Sequence, residues 1–453
     1  DDGFFEGDLP DDVRESQSKI INPYPRKALN TLRSGMLSGM TSPSSQWFRL
    51  TTPHETSGSA DVKRWLYDVQ QAMAELMLKS NLYNILPLVY GSCATYGTGV
   101  MSVMPDPEEI ERCTHYPVGS YMLNTNNNNV VDTMYRNIPM TPKMMVDEFG
   151  YDRVSKNVQM MYDIGSLQWV TVYQAVEPNP AYDESKLDTA SMRYRVTYWE
   201  NSQMDKWLQR TGFKRFPIMA PRWDVNGNNV YGTGPGFVAI GKCKELQVLE
   251  SDKLRLIRTG ANPSMTAPVT LRGQRATTNP GEITWVPDNL VGVKYAPTYV
   301  PDRAWLQEVR NEINECENSI GQSFFADLFL MINSLEREAT AYEISVRKEE
   351  KMLMLGPVLE RMDDELLDPL IDSFFTIMVN QSEPIWMGLL DGVPLLPPPP
   401  EELQGMDLKV EYLSILAQAQ KMTGVANIER AVNFTMNAMQ LMPTAADTLN
   451  IDT

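Results

Sequence analysis

Two segments with regular apolar spacing enclose a stretch that cannot continue a helix. Residues 236–262 and 303–322 repeat apolar side chains every three or four positions, which predicts two amphipathic helices. The stretch between them is rich in Pro and Gly, as in NPGEITWVP at 279–287, and favours short strands and turns. This order predicts two long helices that bracket a small strand-and-turn element. The apolar positions expected to pack along the helices are Leu246, Leu249, Leu256, Trp305, Val309 and Ile313.

The region before these helices has a different pattern. Residues 116–223 contain short runs rich in β-branched and aromatic side chains, such as WVTVYQAV at 169–176 and MRYRVTYWE at 192–200. Turn-forming residues separate the runs, and a helical segment is expected at 141–149. Helical spacing returns in 336–380. Strands and helices in separate blocks predict an α+β fold with an antiparallel β region.

Composition and charge exclude several classes of protein. The 453 residues are 42% hydrophobic and 22% charged, which is typical of a globular chain with room for more than one core. A net charge of −18 repels nucleic acid at long range and disfavours tight DNA binding. No apolar run is long enough to predict a membrane span. Four scattered cysteines and two histidines predict no metal site and suit a reducing compartment.

One segment comes close to a phosphate-binding loop. Residues 236–243 read GFVAIGKC, which ends in Cys243 where the motif requires a hydroxyl side chain for magnesium. Phe-Val-Ala-Ile is bulky for a loop that wraps a phosphate, and the residues before it predict a turn instead of a buried strand. A helix that starts near Pro235 explains the sequence of residues 236–243 without a nucleotide site. A nucleotide-hydrolysing enzyme therefore remains only an alternative, and we expect no catalytic residues and no cofactor.

Two smaller features receive structural interpretations. The tetrapeptide YGTG occurs at 96–99 and again at 231–234, which we interpret as a chance recurrence. His54 and His115 are interpreted as turn or surface residues.

The segment RSGMLSGMTSPSSQWFRL at 33–50 resembles the opening signature of portal proteins, the head-to-tail connectors of short-tailed double-stranded DNA phages. Other matching pieces follow in the order of that family, and together they cover roughly residues 26–420. These pieces are VKRWL (62–66), SNLY (80–83), YGTG (96–99), VDTMYR (131–136), YGTGP (231–235), IGQSFFADLF (320–329), ATAYE (339–343), RKEE (347–350) and LGPV (355–358). The departure NSLERE at 333–338 leaves the length of an inner loop open.

The resemblance implies a portal-like protomer with a mixed wing, a two-helix stem, a small clip and a helical crown, assembling into a ring. The implied parts are an N-terminal wing at 1–235, stem helices at 236–262 and 303–322, a clip at 263–302, a channel loop at 323–336, a long wing helix at 337–385 and a C-terminal wing and crown at 386–453.

It also implies a function and partners. Portal proteins form a ring, usually of twelve copies, at one capsid vertex of the virion, and are made in the host cytoplasm. Double-stranded DNA passes through without sequence recognition during packaging, retention and ejection. The implied partners are the terminase motor, tail adaptor proteins, and capsid and scaffolding proteins. A virion adaptor that forms no channel is the remaining alternative.

Two sets of residues follow as candidates. The channel loop is implied to set the narrowest bore through Phe329, Leu330, Met331, Ile332, Asn333 and Ser334. In the clip, Arg272 and Arg275 are candidates for contacting phosphates or an acidic partner, or, as isolated exposed arginines, for doing neither.

Overall fold

The computed structural model describes residues 20–51, 60–106, 110–183, 185–186, 188–200, 203–263, 265–266, 296–297, 303–333, 354–380, 400, 403, 409–413 and 416. The chain divides into two compact units. The helical unit comprises Asp1–Ala28 and Ala239–Ser323, and the mixed unit comprises Leu29–Val238 and Phe324–Thr453.

The helices fall in three blocks along the chain. They are α1 (Tyr24–Met40), α2 (Ala60–Lys79), α3 (Leu82–Tyr96), α4 (Pro142–Phe149), α5 (Lys156–Asp163), α6 (Pro235–Ala261), α7 (Arg303–Ser323), α8 (Ala326–Asn333) and α9 (Asp368–Asn380). Residues 354–362 are also helical and continue through a π-helical turn at Asp363–Leu367 into α9. None of the helices in the described ranges combines the length and apolar character that crossing a membrane requires.

The strands pair in antiparallel fashion throughout the described residues. They are β1 (Phe48–Thr51), β2 (Val100–Asp106), β3 (Ile110–Tyr116), β4 (Tyr121–Thr125), β5 (Val131–Met140), β6 (Val170–Pro178), β7 (Tyr194–Glu200), β8 (Gln203–Phe213), β9 (Ile218–Met219), β10 (Met265–Thr266), β11 (Ala296–Pro297) and β12 (Lys409–Tyr412). Strands β4 to β8 form a five-stranded meander, β3-β2-β9 a three-stranded sheet, and β1-β12 and β10-β11 two-stranded sheets. The fold is a mixed one of helices and antiparallel sheets.

Local sequence explains where the short helices start. The hydroxyl of Thr141 accepts a hydrogen bond from the Met144 N–H, and Pro142 occupies the first turn of α4. Ser155 caps α5 in the same way by accepting from the Val158 N–H. These caps fix α4 and α5 against one face of the five-stranded sheet.

Two apolar clusters hold the mixed unit together. The first joins the two larger sheets through side chains such as Val100 and Ile218 on one and Met134, Val176 and Val196 on the other. The second places α4 and α5 on the five-stranded sheet, and its buried members are Met145, Phe149, Val154, Val158, Val172 and Leu208. Burial of these side chains is the main favourable contribution to folding.

The π-helical turn has a cause in the sequence. Pro369 has no N–H to donate to the carbonyl of Glu365, and its ring would clash with that carbonyl in a regular α-helix. The backbone widens instead, and the Asp368 N–H donates to the carbonyl of Asp363, five residues earlier. Of the long wing helix expected at 337–385, residues 337–353 and 381–385 lie outside the described residues.

Candidate assembly and channel surfaces

The two predicted stem helices form in the helical unit as α6 and α7. Of the residues expected to pack, Leu246 and Ile313 are buried, while Leu249, Leu256 and Val309 are half-buried. Trp305 is 63% exposed and is not part of the buried face. Cys316 and Ile320 complete that face and are fully buried.

One asparagine ties both helices to the chain that precedes α1. The side-chain amide of Asn22 donates to Glu250 of α6 (3.1 Å) and to Glu317 of α7 (2.9 Å). The Gln247 side chain accepts from the Asn22 N–H (2.9 Å) and donates to its carbonyl (3.0 Å). Hydrogen bonds to ionised carboxylates are stronger than neutral ones. Asn22 therefore sets the spacing of α6 and α7, which the sequence analysis did not anticipate.

Helix α6 carries apolar side chains beyond those that its own unit buries. Ile240, Val248, Leu254 and Ile257 are between 42% and 60% exposed. Exposed apolar patches on a soluble protein mark sites of protein–protein contact. This surface is suited to packing against another protein chain.

The near-match to a phosphate-binding loop is helical. Residues 236–243 form the first turns of α6, and the Lys242 ammonium pairs with Glu245 one turn later at 2.9 Å. Beyond its first turn a helix hydrogen-bonds its own amides, so the segment forms no loop whose amides could wrap around a phosphate. The segment thus lacks the geometry of a nucleotide site.

The expected channel loop is wrong for part of its length, because Ala326–Asn333 forms helix α8. The run ADLFLMIN is apolar, and Asp327 in its first turn favours a helix start. Phe329 is 3% exposed, and a Cβ added at Gly35 would lie 2.8 Å from its Cβ. Phe329 is therefore a core residue that fills the space left by a glycine.

The other residues predicted to line the channel differ in exposure and in whether the structure describes them. Leu330 is 57% exposed. Met331, Ile332 and Asn333 continue the α8 backbone, and Ser334 lies outside the described residues. In the predicted clip, β10 pairs with β11, whereas Arg272 and Arg275 lie outside the described residues. The roles of both sets stay predictions.

The two YGTG segments lie against each other, a contact that the sequence analysis missed. The Gly232 N–H donates to the Thr98 hydroxyl at 2.9 Å, and Thr98 forms a β-bridge with Arg222. Gly97 adopts a φ of +79° and ends α3. A Cβ added there would lie 2.6 Å from Thr233 N and closer still to the Gly232 carbonyl oxygen. The repeated glycines are the sequence signal of this close backbone approach.

Next to this contact a buried arginine joins the sheet region to the π-helical turn. Arg222 is 4% exposed, and its guanidinium donates to Glu365 at 2.6 and 3.1 Å. It also donates to the backbone carbonyl of Asn129 at 2.8 Å, and its own N–H donates to Glu365 at 2.8 Å. The pair lines a cavity of about 700 Å³ that also contacts Arg361 and Asp364. Among the described residues, no group of His, Cys, Asp or Glu has the arrangement of a metal site.

His115 is the histidine that falls within the described residues. His115 is half-buried in β3 and its Nε2 is 2.9 Å from the Ser92 hydroxyl, so it is a strand residue and not the turn residue that was one of the two expectations. Burial lowers the pKa of His115, which favours the neutral ring. His54 lies outside the described residues.

Glu111 is a buried carboxyl in β3. It has no exposed surface, and in the part of the chain that is described neither side-chain oxygen has a hydrogen-bond partner. Burial raises the pKa of Glu111 to about 9 from an ordinary value of 4.5. The unfolded chain loses this proton above pH 4.5 while the folded chain keeps it, so stability falls as the pH rises towards 9.

We expect Glu111→Gln to stabilise the protein at neutral pH. The amide cannot ionise, so the variant avoids a cost that reaches about 3 kcal/mol at pH 7. Thermal unfolding at pH 4.5 and pH 7.5 should give equal Tm values at the lower pH and a higher Tm for the variant at the higher pH. Glu148→Gln, an exposed control, should behave as wild type. A Tm difference that is the same at both pH values would contradict a protonated, buried Glu111.

Comparisons with known proteins cover nearly the whole chain. The family described as bacteriophage head to tail connecting protein matches residues 2–453. The portal protein of Salmonella phage epsilon15 is 40% identical over 457 residues, covering 99% of this chain and 79% of the relative. The probable portal protein of Bordetella phage BPP-1 is 37% identical over 443 residues, covering 96% and 77%. A chain in the virion of a native gene transfer agent has 10% identity and a TM-score of 0.35, with 90% of this chain and 86% of that chain covered.

Proposed function

Because this chain belongs to the family of bacteriophage head-to-tail connecting proteins, we propose that copies of it form the ring-shaped DNA channel at one capsid vertex. The portal function and the place in the virion follow from the family and from the two portal relatives. The ring, its copy number of about twelve and its partners are the proposal. The single observation that carries it is a family match that begins at residue 2 and ends at residue 453.

The helical unit supports a ring of packed helix pairs. Helix α6 buries Leu246 and α7 buries Ile313, Cys316 and Ile320, whereas other apolar side chains of α6 stay exposed. A neighbouring copy would cover these side chains, and a closed ring lets every copy make the same contact. In this proposal buried Leu246 and Ile313 would hold the helix pair, and Trp305, which is 63% exposed, would contact the next copy.

We assign roles to the other parts of the chain from the family resemblance. We assign the stem to 236–262 and 303–322, the clip to 263–302, and the wing to 1–235 and 337–385. The clip would meet the terminase motor during packaging and tail adaptors afterwards, with Arg272 and Arg275 on its surface. The crown, at 386–453, would face the capsid interior. Capsid and scaffolding proteins would surround the wing.

The channel segment is revised by helix α8. Phe329 supports the segment from inside the mixed unit, whereas exposed Leu330 and the residues up to Ser334 are proposed to border the bore. DNA would pass there without sequence recognition, since no base-reading motif is present in the sequence.

Charge suits a conduit better than a DNA-binding protein. With −18 per chain, a ring of about twelve copies carries about two hundred negative charges. Such a ring repels the phosphate backbone on average, so DNA can slide with few attractive contacts. We propose that the ring itself does no catalysis and that a separate motor hydrolyses ATP. The pairing of Lys242 with Glu245 inside a helix supports this division.

The ring is tested by imaging the purified full-length chain in negative stain, with the mass of the assembly measured by light scattering. We expect rings of about twelve copies with a central hole wider than duplex DNA. A monomer that persists at micromolar concentration, or an assembly without a central hole, would contradict the proposal.

A further inference from the structure

The face of the five-stranded sheet that points away from its core is unusually aromatic. Register places Tyr173, Trp199 and Trp207 side by side on β6, β7 and β8. Tyr173 stacks on Trp199 with ring centroids 5.7 Å apart, and Trp199 meets Trp207 edge to face at 6.2 Å. The solvent face of an antiparallel sheet normally carries polar side chains. Trp207 is nevertheless 55% exposed and Tyr135 on β5 is 41% exposed.

These side chains surround a groove with a floor of small residues. The sheet groove, about 250 Å³ in volume, is lined by Tyr135, Ala175, Glu177, Arg195, Thr197, Trp199, Trp207 and Arg210. Arg195 pairs with Glu177 inside the groove, so these two charges neutralise each other. Ala175 and Thr197 are buried at its floor, and the larger side chains stand around them. A bulge in the β7–β8 pairing brings Trp207 and Arg210 to the same groove while Leu208 packs in the core. Arg210 is exposed and has no ion-pair partner among the described residues.

The same unit presents a fixed apolar projection at the end of α5. The Ser166 N–H donates to the Met161 carbonyl at 2.8 Å and the Gly165 N–H to the Tyr162 carbonyl at 2.9 Å, which together make a Schellman turn. Gly165 has the φ of +68° that this turn requires. The turn holds Ile164 at 79% exposure and Leu167 at 81%. An ordered turn that exposes two branched aliphatic side chains is a candidate contact surface.

The projection and the groove lie on opposite sides of one layer. Helices α4 and α5 pack against Val172 and Leu208, which point to the core side of the sheet. Ala175, Trp199 and the other groove residues point to the opposite side, because side chains alternate along a strand. We name Met160, Asp163, Ile164 and Leu167 the helix knob. The helix that carries the knob and the groove therefore lie on opposite faces of the sheet in one protomer.

We propose that the helix knob of one copy docks in the sheet groove of the next copy. Ile164 and Leu167 supply the apolar side chains that the aromatic groove accommodates. Exposed Asp163, whose carboxylate also accepts a hydrogen bond from the Tyr151 hydroxyl at 3.0 Å, supplies a negative charge for Arg210. Two different patches make a heterologous contact, which repeats from copy to copy and closes into a ring when the rotation between neighbouring copies returns to the first copy. This inference rests on the proposed ring and names a contact within it.

Crosslinking tests the docking without altering the contact residues. Gln168→Cys lies beside the knob and Lys206→Cys beside the groove, and both positions are exposed. They are combined in a Cys243→Ser background, because Cys93, Cys113 and Cys316 are buried. Treatment of assembled rings with a short bismaleimide should give a ladder on a denaturing gel that extends to the full ring. Each single-cysteine variant should stay monomeric on that gel.

The outcomes separate this inference from the proposed function. If rings are seen by electron microscopy but crosslinking gives no ladder, the knob-in-groove contact is wrong and the proposed ring is not affected. The groove would then be a candidate site for another virion protein. Dimers from Gln168→Cys alone would mean that knob meets knob, which also overturns it. Absence of rings in the wild-type protein would contradict the proposed function itself.

A substitution gives a second readout of the same contact. Leu167→Asp should lower the fraction of chains in rings about tenfold at a concentration near the assembly midpoint. Asn127→Asp adds the same charge at an exposed turn and should leave that fraction unchanged. Equal effects of the two variants would count against the docking.

Discussion

Gly97→Ala is expected to lower the free energy of unfolding of the mixed unit by about 3–5 kcal/mol. Two costs add at this position. The φ of +79° is unfavourable for any residue with a Cβ, and the new methyl group would overlap the backbone of Gly232 and Thr233. The backbone there cannot move away easily, since the Gly232 N–H is bonded to Thr98 and the Trp223 N–H to the Gly97 carbonyl.

Gly227→Ala is the matched control for this experiment. Gly227 also has a positive φ, +61°, but an added Cβ would meet no atom within 4 Å. It should therefore cost only the backbone strain, about 1–2 kcal/mol. Urea unfolding followed by tryptophan fluorescence, at one protein concentration, measures both variants. If the two substitutions cost the same, the close contact between the YGTG segments contributes nothing.

Elements whose signal is local could be predicted from the sequence. The β-branched runs at 169–176 and 192–200 become β6 and β7, and the apolar periods become α6 and α7. Each of these elements buries one face. Apolar residues therefore recur along its sequence at the period of a helix or a strand, and that period can be recognised from neighbouring residues alone. The expectation that failed was not based on a local pattern: Ala326–Asn333 was assigned to a loop by the family resemblance, although its apolar run forms a helix.

Contacts between distant residues could not be predicted in this way. Gly97 meets Gly232, and Asn22 bonds Glu250 across 228 positions. Nothing in either local sequence specifies the partner. The aromatic groove could not be predicted from the sequence for a related reason. Alternation shows that two sets of side chains face opposite ways, but both sets in β6 and β7 contain large apolar residues, so the sequence does not identify the buried one.

The second large effect is expected from Arg222→Met, which should destabilise the mixed unit by about 3–5 kcal/mol. Arg222 is buried, and it neutralises Glu365 while also satisfying the carbonyl of Asn129. Without the guanidinium, a carboxylate that is largely removed from water loses its counter-charge. The matched control is Arg215→Met. The Arg215–Asp372 pair is exposed on both sides, so its loss should cost less than about 1 kcal/mol.

The double variant Arg222→Met/Glu365→Leu distinguishes a lost charge pair from a lost side-chain volume. Removing both charges removes the uncompensated carboxylate, so the double variant should be more stable than Arg222→Met alone. Glu365 lies within the π-helical turn, so this comparison also measures how firmly Arg222 holds that turn against the sheet region. Urea midpoints for the wild type, both single variants and the double variant give the coupling energy. Additive losses would mean that Arg222 acts only by packing, and that the π-helical turn is maintained by Pro369 without help from the ion pair.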